Sequence, residues 1–393
     1  MPPTLESVSK KRKLDEVFQG HNVPPYRENA TQYAPDHLLL HHSETVDGFI
    51  KTRRHNRKVV DAVVKFVEDV KGALSTMESL GFPSLHDAER ELQGRGVSVP
   101  FDSALGDVSE SQKVTFHPPN QIEIGGGLSH RFLPKFQNHT PVADLIIGIS
   151  SSFFAPEDYL DFRYFRKRAA YMAYIASALL DLSSNRTCSF DFLDGDGLRP
   201  IVIINSPNVK ATVRIIPAIS SDLFPMDKLS SSSCCAWRDI GASTAQYNAS
   251  IIADAYHLEN TERHRRLAAS HPGFEGGLVL GSAWLSHRSY SSHLLDGGFG
   301  DNEWALLQSY IIGNNVDPKS SQHLSDPFQL FMSVLRLIEK TEPTASPIDE
   351  ANFALCTLNE TSYNILFKIS QWTYLAVLAP HPRSHLQLRD TTD

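Results

Sequence analysis

Apolar and polar positions follow three regimes along the chain. Between residues 44 and 80, Val59, Val60, Val63, Val64, Phe66, Val67 and Val70 recur at helical spacing and predict one long amphipathic helix. From about residue 95 short β-rich runs take over. Strands are expected at 121–124, 143–149, 188–193, 200–204 and 212–216, set apart by Gly, Asp, Pro and Asn. One strong helix interrupts them at 157–182, with Pro156 near its start. After Tyr247 the pattern turns helical again, at 250–257, 278–286, 303–312, 327–339 and 363–378.

This order predicts an α+β protein. Residues 1–40 read as a disordered basic tail and 41–95 as an N-terminal helical segment. Residues 96–245 read as a mixed α/β domain, 246–380 as a helical domain and 381–393 as a polar tail.

Composition adds limits. The chain has 393 residues, 41% of them hydrophobic, enough for packed cores. Its 37 basic and 45 acidic residues leave a net charge of −8, so any RNA contact has to come from local basic patches. Cys234 and Cys235 adjoin each other, and Cys188 and Cys356 lie far off, which is neither a disulfide framework nor a zinc spacing. A reducing intracellular setting is expected. The apolar stretch 169–180 is too short to span a bilayer, so no membrane partner is expected. His37 and His41 stand four apart without an evident third ligand.

Three basic groups stand out. Lys10, Lys11, Arg12 and Lys13 read as a nuclear import signal. Lys51, Arg53, Arg54, Arg57 and Lys58 crowd the first turns of the predicted valine helix, as a phosphate contact or a solvated face. Arg163, Arg166, Lys167 and Arg168 open an otherwise apolar helix. Cations there oppose the helix dipole, which favours an RNA or acidic-partner surface over a solvated helix end.

The candidate chemistry is nucleotidyl transfer. A polymerase-beta-type site needs a Gly-rich turn for the triphosphate, two acids alternating on one strand and a third on a neighbour, together holding two metal ions. Gly125-Gly126-Gly127 supplies the turn. Asp144 stands at the first acid position, but its same-face partner is Ile146, and the best candidate for the third position is Arg214. One carboxylate beside an isoleucine and an arginine is a poor magnesium site. A vestigial site is therefore expected, with no catalytic residue, metal or cofactor. Asp191, Asp194 and Asp196 could relocate the metal, but Asp194-Gly195-Asp196-Gly197 reads better as a hairpin turn.

Asp158-Tyr159-Leu160-Asp161-Phe162-Arg163-Tyr164-Phe165-Arg166-Lys167-Arg168-Ala169 and its continuation Tyr171 to Ala176 resemble the signature of the Nrap family, the nucleolar RNA-associated proteins. Three later segments agree in order: Thr244 to Asn248, Trp284 to Arg288, and Gly297 to Trp304. The resemblance implies a degenerate nucleotidyltransferase-like domain followed by a helical domain similar to those of poly(A) polymerases and oligoadenylate synthetases. It also implies a nucleolar, non-catalytic scaffold of the small-subunit processome, within the UTP-C subcomplex. The implied partners are precursor ribosomal RNA, the small nucleolar RNA particle, an Rrp-seven-type protein and casein kinase two. Family members are far longer, so the chain would hold only the first copy of their repeating unit, as a fragment or a short paralogue. Two other functions stay open: an active template-independent RNA nucleotidyltransferase, and a truncated remnant of a longer scaffold.

Overall fold

The computed structural model describes residues 36–340, except 103–104, 106–112, 136–139, 181–186, 207, 230–232, 234, 237–243, 297 and 315–322. The expected import signal, residues 1–35 of the expected N-terminal tail, the C-terminal tail and the helix at 363–378 lie outside the described residues; residues 36–40, expected in the disordered tail, are helical. The chain divides into two units between Asp47 and Gly48, inside helix α1 (Asp36–Thr52). The described part of the first unit is the helical turns up to Asp47, and the second unit holds every other element.

The single valine helix expected over 44–80 is broken. Arg54 forms a bridge with Pro134, and the His55 N–H donates to the Leu133 carbonyl at 3.1 Å. Helix α2 (Arg57–Ser75) then starts afresh, with Asn56 Oδ1 accepting from the Val59 N–H at 3.0 Å. Its stripe Val60, Val63, Phe66, Val67, Val70 and Leu74 is buried. A short pair, β1 (Leu80–Phe82) with β2 (Val114–Phe116), for which the pattern gave no strands, and helix α3 (Leu85–Gly94), capped by Ser84, follow. Buried residues of α2 and α3 share one core with the sheet.

That sheet has five strands in the order β3 (Gln121–Ile124), β4 (Val142–Gly148), β7 (Ala211–Ala218), β6 (Pro200–Ser206) and β5 (Thr187–Phe192). Only β4 and β7 run parallel. All five were expected within one or two residues. Leu145, Ile147, Val213 and Ile215 turn to one face, where they share a core with α4 (Arg163–Leu180) and α2. The opposite face carries Ile146, Ile201 and Ile216 and meets α5 (Thr244–Ser270) through Leu258.

Helix α4 starts six residues later than expected. Asp161 and Phe162 take left-handed φ values of 52° and 63°, which ends any helix before them. The Tyr247 hydroxyl holds this turn: it accepts from the Phe162 N–H at 3.0 Å and donates to the Tyr159 carbonyl at 2.8 Å.

The helical layer is α6 (Gly273–His287), α7 (Asp301–Asn314) and α8 (Pro327–Lys340). Trp304 is fully buried there and packs against Trp284, ring centroids 5.9 Å apart. The start of α7 is held by Glu303, whose carboxylate accepts from the Gly300 N–H at 2.8 Å. A mixed α/β domain followed by helices is the expected fold class. Among the described residues, no helix is long and apolar enough to cross a membrane.

Candidate functional site: a salt bridge at the metal position

The side chains of β4 alternate, so Asp144 and Ile146 share a face. The parallel register sets Arg214 beside Asp144 and Ile216 beside Ile146. The Arg214 guanidinium grips the Asp144 carboxylate at both oxygens, Nε to Oδ1 at 2.7 Å and Nη2 to Oδ2 at 2.9 Å. This fork geometry is the strong form of the arginine–carboxylate pair. The carboxylate beside it holds the guanidinium further toward its charged form than usual.

The glycine turn closes over this pair. The Gly125 N–H donates to the Asp144 carbonyl at 2.8 Å. A Cβ on Gly125 would lie 2.9 Å from Ile146 Cγ1, and one on Gly127 would lie 2.7 Å from the Phe132 carbonyl oxygen. Gly126 has φ +55° and faces Asp144 Oδ2. Gly125, Gly126, Gly127, Asp144, Ile146 and Arg214 are thus brought together.

A two-metal centre requires several carboxylate oxygens free to coordinate. Of the three acid positions one holds a carboxylate, and both its oxygens are engaged. The same-face neighbour Ile146 is buried with Leu193, Ile201 and Ile216 in an apolar cluster. These residues do not fit a magnesium ion. Asp191, Asp194 and Asp196 do not replace the site, since no group of three or more potential ligands among the described residues could hold a metal. Asp194 and Gly195, with φ of 54° and 73°, form the turn joining the antiparallel strands β5 and β6.

The basic cluster at the start of α4 is not a surface. Arg166 is 9% exposed, Lys167 1% and Arg168 0%. Arg166 forks onto Glu89 at 3.0 and 3.1 Å. Lys167 meets Asp158 at 2.6 Å and Arg168 meets Asp254 at 2.7 Å, both pairs fully buried. Arg163 is half-buried. Three of the four cations that sequence reasoning assigned to RNA or an acidic partner, Arg166, Lys167 and Arg168, are neutralised inside the fold. Lys51, Arg54, Arg57 and Lys58, around the break between α1 and α2, are exposed instead.

Sequence reasoning missed Asp254. This fully buried α5 carboxylate accepts from Arg168, from Arg199 at 2.8 Å and from the Tyr164 hydroxyl at 2.9 Å. Two guanidinium groups hold it low, at about 2, against the opposing effect of burial. His257, one turn on, is pushed down to about 4 by burial and by Arg199. The available signal was an aspartate in the middle of the apolar run Ile251-Ile252-Ala253-Asp254-Ala255-Tyr256.

Residues 83–270, from before α3 to the end of α5, match Nrap protein domain 1. This region belongs to the Nrap domain 1 family. The segments that carried the resemblance turn out to be packing elements of the chain: Tyr247 clamps the turn before α4, Lys167 pairs with Asp158, and Trp284 packs on Trp304. U3 small nucleolar RNA-associated protein 22 of Schizosaccharomyces pombe is 28% identical over 334 residues, covering 78% of this chain and 30% of that protein. Nucleolar protein 6 of Xenopus laevis is 23% identical over 371 residues, covering 89% and 29%. The chain thus spans about 30% of the length of these relatives. Among solved structures it is similar to the Cid1 poly(U) polymerase, at 9% identity and a TM-score of 0.44 over 87% of this chain and 96% of that one.

Proposed function

We propose that this Nrap-domain chain is a non-catalytic scaffold of ribosome assembly. It would act in the nucleolus on precursor ribosomal RNA, in company with the U3 small nucleolar RNA particle. The observation that carries the loss of catalysis is the Asp144–Arg214 fork, with Ile146 at the second acid position. The relatives' names, U3 small nucleolar RNA-associated protein and nucleolar protein, support the place and the RNA particle. An Rrp-seven-type protein and casein kinase two are the protein partners this reading expects.

With Arg166, Lys167 and Arg168 buried, RNA phosphate contact falls to the exposed Lys51, Arg54, Arg57 and Lys58. Nuclear entry is assigned to Lys10, Lys11, Arg12 and Lys13. Replacing those four by alanine in a tagged chain should abolish nuclear accumulation, and unchanged accumulation would remove the segment from this role.

The deciding experiment has two arms. The purified chain is incubated with short RNA, labelled nucleoside triphosphates and magnesium or manganese; no extension is expected. The tagged chain is recovered from cells and probed for U3 small nucleolar RNA, which should be enriched. Extension that disappears in Asp144→Ala would establish the alternative, an active template-independent nucleotidyltransferase. Absence of U3 RNA would leave the remnant reading in its place.

A further inference from the structure

A polar cleft opens between the β5–β6 turn, the N-terminal half of α5 and the segment leading into α7. Asp194, Arg199, Gln246, His257 and Glu303 are among its lining residues. Its charge is negative on balance. Arg199 shares the Asp254 carboxylate with Arg168, at 2.8 and 2.7 Å, and His257 is held neutral near pH 7 by burial and by Arg199. The carboxylates Asp194, Asp196 and Glu303 are left over.

These three differ in what they can still accept. Asp196 is committed at both oxygens, to the Leu198 N–H at 3.0 Å and the Ser250 hydroxyl at 2.8 Å. Glu303 spends Oε2 on Ser292 and on the Gly300 N–H, both at 2.8 Å, and Oε1 meets only Asn302, at 3.4 Å. Asp194 makes no side-chain hydrogen bond or ion pair among the described residues, although turn and burial hold it at the cleft.

Two buried polar atoms of the lining also lack partners. Arg199 is 6% exposed, and its Nε–H finds no acceptor. The Gln246 Oε1 finds no donor. A folded chain rarely leaves such atoms unpaired, because each costs on the order of 1–3 kcal/mol. The cleft therefore asks for a ligand with a cationic donor, an acceptor for Arg199 and a further donor for Gln246. A phosphate-bearing ligand would meet three carboxylates and one arginine already paired with Asp254.

We propose that this cleft receives a lysine- or arginine-bearing segment of a partner protein, its cationic head on Asp194 and Glu303, a backbone carbonyl on Arg199 Nε and a backbone N–H on Gln246 Oε1. This goes beyond the scaffold reading and is read by peptide binding, so either can fail without the other.

The test is fluorescence anisotropy of the full chain with a labelled peptide, Gly-Ser-Arg-Lys-Ser-Gly, against Gly-Ser-Gln-Gln-Ser-Gly. The basic peptide should bind and the neutral one should not. Asp194→Asn should weaken binding at least tenfold, while Asp191→Asn, at an exposed acid three residues away, should change it less than twofold. Ala249→Lys, which places a cation of the chain's own in the cleft, should also abolish binding; circular dichroism reports folding of each variant. Equal loss in Asp191→Asn and Asp194→Asn would reduce the effect to general charge and overturn the proposal. So would unchanged binding in Asp194→Asn and Ala249→Lys. A labelled oligouridine that binds in an Asp194-dependent way, with no binding of the basic peptide, would give the cleft to RNA.

Discussion

Arg168 Nε lies 2.7 Å from Asp254 Oδ2 with both side chains fully buried, and this contact ties α4 to α5. Arg199 takes the other oxygen and the Tyr164 hydroxyl adds a third donor. Removing the carboxylate leaves two guanidinium groups in the interior without their counterion. Loss of one partner of a buried pair costs about 3–5 kcal/mol. Asp254→Ala is therefore expected to lower unfolding stability by about that amount in urea titrations. The pH dependence has a definite sign. Asp254 is held at about 2 in the folded chain, below its ordinary 3.8. Its contribution is full above that ordinary value and is lost as pH falls toward 2. Asp254→Asn should flatten this acid limb of the stability profile. A loss under 1 kcal/mol in Asp254→Ala, with an unchanged acid limb in Asp254→Asn, would show that the network is not structural.

Asp194 carries the opposite shift. Burial and the neighbouring Glu303 push it up to about 6. The folded chain then binds a proton that the unfolded chain has already released, so stability falls as pH rises from about 4 to 6. Above that window Asp194 is a standing cost. Asp194→Asn should raise stability at pH 7 by on the order of 1–2 kcal/mol, discounted for partial exposure, and should change little at pH 4. Thermal unfolding at the two pH values checks this. A larger gain at pH 4 than at pH 7 would reverse the sign and refute the assignment.

The sequence made the strands and the vestigial site legible for the same reason. Alternation along β4 is a period-two signal, so Asp144 and Ile146 could be placed on one face without knowing the fold, with Arg214 as the candidate for the third acid position on a neighbouring strand. Their pairing could not be seen, because it depends on the parallel register between strands about 70 residues apart. The cations of α4 were misjudged on the same ground. Arg166 and Arg168 find Glu89 and Asp254 at separations of 77 and 86 residues, so local sequence offers them nothing but solvent. Lys167 is different. Its partner Asp158 is only nine residues away, but reaches it through the left-handed turn at Asp161 and Phe162, which no glycine marks. The same turn explains why α4 begins at Arg163.

Restoring acids at the two altered positions should restore ion binding. In Ile146→Asp with Arg214→Asp, three carboxylates would share the face now held by the salt bridge. Mutual repulsion should destabilise this variant without metal, and manganese should relieve it. Its melting temperature should rise by several degrees in millimolar manganese, while the parent's should not move. Electron paramagnetic resonance should show bound manganese in the variant alone. A parent chain that binds manganese equally well would overturn the account of Asp144 as an occupied carboxylate.

Gly273, Gly277 and Gly281 stand four apart on α6 and form one smooth face. Helix α7 uses it. A Cβ on Gly277 would overlap the Gln308 side chain, and one on Gly281 would overlap the Trp304 indole. Trp304 and Gln308 are fully buried, so neither can swing out to solvent. Two effects then compete in Gly281→Ala. Alanine favours the helix by up to about 1 kcal/mol. Forcing a methyl into a packed helix contact costs about 1–3 kcal/mol, and more where the neighbour is a rigid indole. The second should win, giving a net loss on the order of 1–2 kcal/mol, with a shift in tryptophan fluorescence as Trp304 is displaced. Gly313→Ala on α7 is the control, because a Cβ there meets nothing within 4 Å. It should keep only the helix-propensity gain and become slightly more stable, with unchanged fluorescence. If urea unfolding gives both variants the same small gain, the glycine face is not what lets α7 approach.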